Sequence, residues 1–445
     1  MSTLTIAIIV VFVLGYALIA MESLTKVNKA AVALLMFVFC WTLYMFDPAP
    51  FVQLMHPDFT GTGDKVVSFV NTLITEHLGD TATTLFFLMG AMTIVEIVDQ
   101  NGGFNWVKNV MHSKTKRSLL WKIAFMTFFL SAILDNLTTS IVMIMILRKL
   151  VHDKKDRMIY ASLVIIAANS GGAFSPIGDV TTIMLWNAGM ITAGGVISEI
   201  FIPSLLSMVI PALLLQTALK GNIEYDDMGT DLMGDTVVLE FTGLQRKVIF
   251  AIGVGGLCFV PLFHYLTELP PFVGILLVLG ILWTVTELFY RHIHRRRGDN
   301  IQFSKRVSNL LSRIDMSTIL FFLGILMAVA CLEEVGVLHE LGGGLNSFFE
   351  GNHYAVTGII GVLSSIVDNV PLVAGSMGMY PIQATGDMAV DGIFWQLLAY
   401  CAGVGGSILI IGSAAGVVVM GLEKITFGWY MKKISWLAFL GYLCG

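Results

Sequence analysis

Long apolar segments that recur along the whole chain limit its fold more than any other feature. Segments 8–20 and 272–283, for example, contain no charged residue. A helix needs about 20 apolar residues to cross a membrane. We predict spans at 3–20, 30–46, 82–100, 158–188, 200–219, 248–265, 271–290, 316–335 and 393–420. The apolar runs are too long and continuous for the alternating strands of a membrane barrel, so they predict an all-α polytopic membrane protein.

The composition supports this fold class and excludes others. Hydrophobic residues make up 56% of the chain and charged residues 13%, against about 25% charged residues in soluble domains. These values exclude a soluble enzyme and a disordered protein. The net charge of −5 comes without a basic arm, so we expect no nucleic-acid partner. The five cysteines are scattered without CxxC spacing, which indicates neither a disulfide framework nor a metal site.

The distribution of basic residues predicts how the spans are oriented, because Lys and Arg collect in cytoplasmic loops. We take the linker 291–313 as cytoplasmic and segments 123–147 and 354–380 as returning to their own side. All but one of the 26 Lys and Arg residues then lie in the cytoplasm. The exception is Lys65, in a predicted outer loop at 47–81. This layout predicts a multi-pass protein with its N-terminus outside, and we expect it in the bacterial inner (plasma) membrane.

The two returning segments each carry Asp-Asn at their centre, at Asp135-Asn136 and Asp368-Asn369. We interpret them as re-entrant hairpins whose tips lie near the membrane midplane. Irregular backbone at that depth persists only where it is buried in protein or lines a water-filled cavity. An ionisable residue there indicates function.

The sequence also repeats itself at an offset of about 234 residues. Residues 133–136 match 366–369, and Gly171-Gly172 with Gly178 match Gly405-Gly406 with Gly412. The predicted spans give the two copies opposite orientations, as in many secondary transporters. We predict N-terminal scaffold spans (1–80), a first repeat with hairpin 123–147 and broken helix 158–188 (81–220), a cytoplasmic linker (221–247), middle spans and a basic loop (248–313), and a second repeat with hairpin 354–380 and broken helix 393–420 (314–445).

Four polar elements interrupt these repeats, at 135–139, 168–182, 364–371 and 403–416, and none contains Lys or Arg. Carboxylates, amides, hydroxyls and freed carbonyls are the oxygen ligands that small hard cations prefer. We predict that Asp135, Asp368 and Asp179 bind the ion and exchange protons. The predicted oxygen shell is Asn136, Thr138, Thr139, Asn169, Ser170, Ser365, Asn369 and Ser407, with Na⁺ at Asp135, Asn136, Asp368 and Asn369.

Simpler interpretations of these residues remain open. The acids can act as helix caps, the Ser and Thr hydroxyls can bond to their own helices, and the glycines can serve close helix packing. A buried acid that titrates near the working pH, however, holds either a proton or Na⁺. Mutual exclusion at one carboxylate is the minimal mechanism of exchange.

At these elements the sequence resembles the NhaD-type sodium/proton antiporters of the ion-transporter superfamily, which also includes arsenite, citrate and dicarboxylate carriers. The resemblance covers roughly 80–445. Its matching residues are Asp135-Asn136 with Thr138-Thr139, Asn169 to Gly172 with Gly178-Asp179, Asp368 to Pro371, and Gly405 to Ser407 with Gly412-Ser413. It implies a homodimer whose protomers each hold a scaffold domain and a transport domain that moves like an elevator.

We therefore expect a secondary active transporter that exchanges cytoplasmic Na⁺ or Li⁺ for external H⁺, with membrane lipid and a small cation as partners and no cofactor. The alternative is a Na⁺- or H⁺-coupled carrier of a small anion or oxyacid, such as a carboxylate or arsenite. A membrane-embedded enzyme is disfavoured, because no HExxH or DDxxD motif occurs. A channel would differ in turnover that is not coupled to a pH gradient.

Overall fold

The computed structural model describes residues 2–21, 25–104, 110–111, 113–223, 241–297, 310–366 and 369–445. Within these ranges the chain is helical and contains no β-strand. The α-helices, numbered in chain order, are α1 (Thr3–Ala20), α2 (Lys29–Phe46), α3 (Ala49–Met55), α4 (Asp64–Gln100), α5 (Lys116–Leu134), α6 (Asn136–Leu150), α7 (Lys154–Ala173), α8 (Val180–Asn187), α9 (Ala193–Leu215), α10 (Gly243–Thr267), α11 (Pro271–Arg297), α12 (Met316–Glu334), α13 (Val337–Phe348), α14 (His353–Leu363), α15 (Asn369–Met379), α16 (Ile393–Gly405), α17 (Ala414–Glu423), α18 (Phe427–Lys433) and α19 (Ser435–Cys444).

Seven helices in the described ranges are long and apolar enough to cross a membrane. They are α2, α4, α5, α9, α10, the segment Pro271–His292 of α11, and α12. Their side chains are buried in the bundle over only part of each span, and the remaining apolar surface faces outward. The prediction of an all-α protein with several membrane spans is thereby confirmed.

Helix α4 differs from its prediction, because it begins at Asp64 rather than near residue 82. Its 37 residues extend over about 55 Å, well beyond the hydrocarbon thickness. Hydropathy marks only the apolar part of a helix, so it does not reveal the polar turns before residue 82. The segment 47–81, predicted as an outer loop, is helical over most of its length, because α3 and the start of α4 occupy it.

Helices α5 and α6 enter and leave the bundle at the same end. The Tyr160 hydroxyl donates to the Lys116 carbonyl at 2.8 Å and Ser131 donates to the Ala168 carbonyl at 2.6 Å, so α5 runs parallel to α7. Helix α6 runs back, and its last turn places Arg148 beside the same carboxylate as Arg157 at the start of α7. The two arms cover 116–134 and 136–150, more than the expected 123–147, because the basic residues at both ends are helical.

Helices α14 and α16 pack in the same parallel manner. The His353 ring contacts the Phe394 ring with centroids 5.6 Å apart, and Ser364 donates to the Ala402 carbonyl at 2.8 Å. Beyond α15, Tyr380 also packs on Phe394, at 4.8 Å between ring centroids. The chain after Leu363 therefore returns to the end from which α14 starts.

The bundle has two chemically distinct ends. One end, here called the basic end, holds Lys116, Arg148 and Arg157. Helix α8 finishes at the other end, where Asn187 donates to Thr84 of α4 at 3.3 Å. Helix α9 then leads back towards the basic end, where Gln216 accepts from the Trp121 indole at 3.1 Å.

Candidate functional site

The break between α5 and α6 is made at Asp135, which has φ 78° and ψ 159°. Only glycine normally adopts this region, and other residues there are strained, typically at functional sites. One carboxylate oxygen accepts from the Thr138 N–H and the other from the Thr138 hydroxyl, both at 2.8 Å. Asp135 and Thr138 thus cap α6, as the simpler interpretation proposed.

The break between α7 and α8 comes just after a close contact with the first hairpin. A Cβ atom on Gly171 would overlap the Phe128 carbonyl oxygen of α5. After Ala173 the chain turns through Pro176, and Asp179 caps α8 by accepting from the Thr181 N–H at 3.1 Å. In the second broken helix, a Cβ on Gly405 would overlap the Gly361 carbonyl oxygen, and Ser413 caps α17.

The Asp179 carboxylate receives an amide from each hairpin. Asn136 Nδ2 donates to Asp179 Oδ2 at 2.9 Å, and Asn369 Nδ2 lies 3.3 and 3.2 Å from Oδ1 and Oδ2. Asp179 is only 1% exposed. A charge this deeply buried must be compensated by hydrogen bonds or by a bound cation or proton. The carboxylate therefore forms the centre of a polar cluster.

The cluster extends into the second broken helix through Asn169. Its Oδ1 accepts from Asn136 Nδ2 at 3.1 Å, and its Nδ2 donates to Ser407 Oγ at 3.0 Å and Ser413 Oγ at 2.9 Å. All five side chains are buried or nearly so: Asn136, Asn169, Asn369, Ser407 and Ser413. Elements from both halves of the chain thus complete one site, which we call the Asp179 cluster.

The other predicted shell residues bond elsewhere. Ser365 donates to the carbonyl of Val362 in the preceding helix α14 at 2.7 Å, and Ser170 accepts from Ser207 of α9 at 2.8 Å. The Thr139 hydroxyl is buried without a hydrogen-bond partner in the described part of the chain. Asp368 lies outside the described residues. The sequence prediction omitted Ser413, although it stands about 234 residues after Asp179 and caps the corresponding helix.

Buried polar side chains where hairpin and broken-helix elements meet, inside a bundle of membrane spans, define a membrane transporter and not an enzyme. The family model described as "Citrate transporter" matches residues 16–397. The chain therefore belongs to this family of transporters.

Sodium/proton antiporters of other organisms are similar to this chain over nearly its whole length. Sodium/proton antiporter 1 of Arabidopsis thaliana is 42% identical over 440 residues, which is 99% of this chain and 71% of that protein. Na(+)/H(+) antiporter NhaD of Alkalimonas amylolytica is 29% identical and covers 98% of this chain and 88% of its own length. The resemblance to NhaD-type proteins predicted from the motifs is confirmed.

A solved structure shares the fold. The YdaH transporter of Alcanivorax borkumensis superposes with a TM-score of 0.59 at 15% identity, covering 92% of this chain and 96% of that one. At this identity the similarity establishes the architecture alone.

Proposed function

We propose that this protein is a sodium/proton antiporter that exports cytoplasmic Na⁺, or Li⁺, in exchange for external H⁺. The observation that carries the proposal is the buried Asp179 carboxylate, on which amides from both hairpins converge. The names of the relatives support the same ions. A single buried carboxylate that accepts either a cation or a proton couples the two fluxes, because each ligand excludes the other.

The asparagines supply the means of exchange. Each amide presents either its N–H₂ or its oxygen, depending on how it is turned. The N–H₂ groups of Asn136 and Asn369 face Asp179 here, which suits an ionised carboxylate without a cation. When Na⁺ binds, or when Asp179 takes up a proton, the favoured partner is the amide oxygen. We propose that the amides turn whenever Asp179 gains or loses its ligand.

Asp135 and Asp368 remain proposed exchanging acids beside Asp179, with Na⁺ held by them and by Asn136 and Asn369. Thr138, Thr139, Asn169, Ser170, Ser365 and Ser407 remain the proposed oxygen shell. The glycine-like conformation of Asp135 supports a role beyond capping. Elsewhere in the chain, residues such as Asp153 cap a helix in an ordinary extended conformation. Capping therefore does not require the conformation of Asp135.

We further propose that the two halves are inverted repeats and that α5–α8 with α14–α17 move together past a scaffold that includes α2, α4 and α12. Paired contacts at the same offset support the repeats, as in Ser131 to Ala168 and Ser364 to Ala402. The Glu423 carboxylate of α17 pairs with Arg148 of α6 and Arg157 of α7, and these contacts between the two halves support a single moving body. By the positive-inside rule, the basic end faces the cytoplasm and the N-terminus is outside, in a homodimer in the plasma membrane.

The description of the family favours citrate as a second candidate substrate. An anionic substrate needs a basic side chain or a free helix N-terminus. The four polar elements contain no Lys or Arg, and the N-termini of α6 and α8 are already capped by Asp135 and Asp179. These carboxylates would repel citrate, so antiport of cations is the better supported function.

The test is cation-dependent proton movement in proteoliposomes, followed with a pH-sensitive dye after addition of NaCl, LiCl or KCl. Wild type is compared with Asp179→Asn, Asp135→Asn and the control Asp153→Asn. Asp and Asn cap helices about equally well, so the substitutions keep the caps and remove only the charge. The Asp156 N–H donates to Asp153 at 2.8 Å and lowers the pKa of Asp153, which is therefore ionised at neutral pH.

We expect Na⁺- and Li⁺-dependent proton movement that Asp179→Asn abolishes and Asp153→Asn leaves unchanged. Loss in Asp135→Asn would assign that acid to ion binding, and full activity would leave it a cap. Wild type that moves no protons with any cation, while folded and inserted, contradicts antiport and directs the search to Na⁺-coupled citrate uptake.

A further inference from the structure

A second cluster of titratable side chains lies away from Asp179, where α12 ends. The two oxygens of Glu334 are each bonded to a different histidine: Oε2 lies 2.8 Å from His56 Nε2, and Oε1 lies 2.9 Å from His77 Nε2. The Glu334 side chain is only 8% exposed, while the histidines are 32% and 21% exposed. A nearly buried carboxylate thus has partners that water can reach.

The chemistry of this arrangement is reversible binding of protons. An ionised Glu334 requires an N–H on each facing nitrogen, which a neutral imidazole already supplies. Each histidine can take one further proton on its other nitrogen, and histidine is the side chain that does so near neutral pH. The cluster can therefore change from net negative to neutral or positive.

The surrounding titratable groups add to the negative charge. The titratable groups around Glu334 and its neighbour Glu333 come from three helices and from the turn after α3, which holds His56. They are Tyr44 on α2, His77 and Asp80 on α4, and Cys331 and Glu333 on α12. None of these groups except the two histidines is cationic when protonated. The histidines alone can thus offset the charge of Glu333 and Glu334.

Glu333 connects this cluster to the second hairpin. A Cβ on Gly378, in the last turn of α15, would lie 3.2 Å from Glu333 Oε2, so the carboxylate lies directly against that backbone. The C-terminus of a helix carries partial negative charge and disfavours a nearby anion. The contact between α12 and α15 is therefore weakened by negative charge at Glu333 and Glu334 and strengthened by protons on the histidines.

We propose that His56, His77 and Glu334 form a proton-binding switch that controls how firmly the second hairpin is held against α12. The cluster lies on α4 before Thr84, at the end opposite the basic end, which the positive-inside rule places outside. Low external pH charges the histidines and holds the hairpin. Rising pH removes the charge from the histidines and frees the hairpin for transport. This regulation rests on the proposed antiport.

The test compares wild type with His56→Gln/His77→Gln and with the control His339→Gln. Glutamine keeps an N–H for Glu334 but cannot take up a proton, and His339 is an exposed histidine five positions beyond Glu334. Two quantities are measured across pH 5.5–9. The first is Na⁺-dependent proton movement in proteoliposomes. The second is amide hydrogen exchange of 369–379, corrected for the intrinsic dependence of exchange on pH.

We expect the half-maximal pH of transport in the double variant to move down by about one unit. Glutamine stays neutral at every pH, so the variant always resembles wild type with uncharged histidines. Exchange in 369–379 should increase with pH in wild type and be high at every pH in the double variant. His339→Gln should match wild type in both. An exchange profile that keeps its pH dependence in the double variant overturns the switch. Absence of antiport in wild type contradicts the proposed function instead, and exchange alone then decides on the switch.

Discussion

At the scale of single residues, the site depends on amides that serve two kinds of partner. Asn136 donates to both Asp179 and Asn169, and Asn169 donates in turn to two serines. Each bond fixes the orientation of the next amide. A change of ligand at Asp179 is therefore felt in the second broken helix through side chains alone.

The amides give a prediction about cation affinity. Asn136→Ala and Asn369→Ala remove one donor each from Asp179 in the cation-free state and one oxygen from the bound ion. We expect the Na⁺ concentration for half-maximal proton movement to rise by about tenfold or more, as for hydrogen bonds to charged groups. The control is Asn71→Ala, an exposed asparagine of α4. Equal Na⁺ affinity in all four proteins would show that the amides do not contact the ion.

The sequence predicts a site residue where a polar side chain interrupts an apolar segment, but it does not show what a particular hydroxyl bonds to. Asp179, Asn136, Asn169 and Asn369 are polar residues at breaks in apolar segments, and such residues stand out in the sequence. The bond from Ser365 to the end of α14 cannot be predicted, because a serine has the same sequence pattern whether it faces an ion or a carbonyl. Only the side-chain rotamer, set by tertiary packing, separates the two.

At the scale of elements, the breaks in α7–α8 and α16–α17 come just after glycine pairs, which the sequence shows directly. The length of α4 does not follow from hydropathy, since its first turns are polar but helical. The arms of the first hairpin are longer than predicted for the same reason. Apolar segments thus give the membrane-embedded part of each helix and omit its extension into water.

The glycine contacts give a prediction about stability. Gly171→Ala and Gly405→Ala each place a methyl group on a carbonyl of the neighbouring hairpin arm. We expect destabilisation by about 1–3 kcal/mol, measured as a lower midpoint of thermal unfolding in detergent. The matched control is Gly280→Ala in α11, where nothing lies within 4 Å of the added Cβ. It should raise stability by about 0.5–1 kcal/mol, and equal losses in all three variants would refute the role of the close contacts.

At the scale of the whole molecule, contacts within the proposed moving body differ from contacts at its boundary. Inside it, Glu423 has a fully buried side chain held by Arg148 and Arg157. At the boundary with α4, the bond from Asn187 to Thr84 is neutral and 3.3 Å long. Neutral, longer bonds are the easier ones to exchange during a sliding movement.

This difference predicts the outcome of cross-linking. Thr84→Cys with Asn187→Cys, joined by a short thiol cross-linker, ties α8 to α4 and should stop Na⁺-dependent proton movement. Lys116→Cys with Asp156→Cys replaces a pair 2.6 Å apart inside the body, and cross-linking there should leave transport intact. The exposed Cys258 and Cys444 are first replaced by serine. Transport that survives the Thr84–Asn187 cross-link would exclude a sliding movement at this boundary.

The long-range bonds of Asn169 have a consequence for biosynthesis. Its partners Ser407 and Ser413 lie 238 and 244 residues further along the chain. At about 5–20 residues per second, a ribosome needs roughly 10–50 s to reach them. Throughout that interval Asn169 lacks Ser407 and Ser413, and for most of it Asp179 also lacks Asn369. Water or a membrane chaperone must occupy those positions until the last helices enter the bilayer.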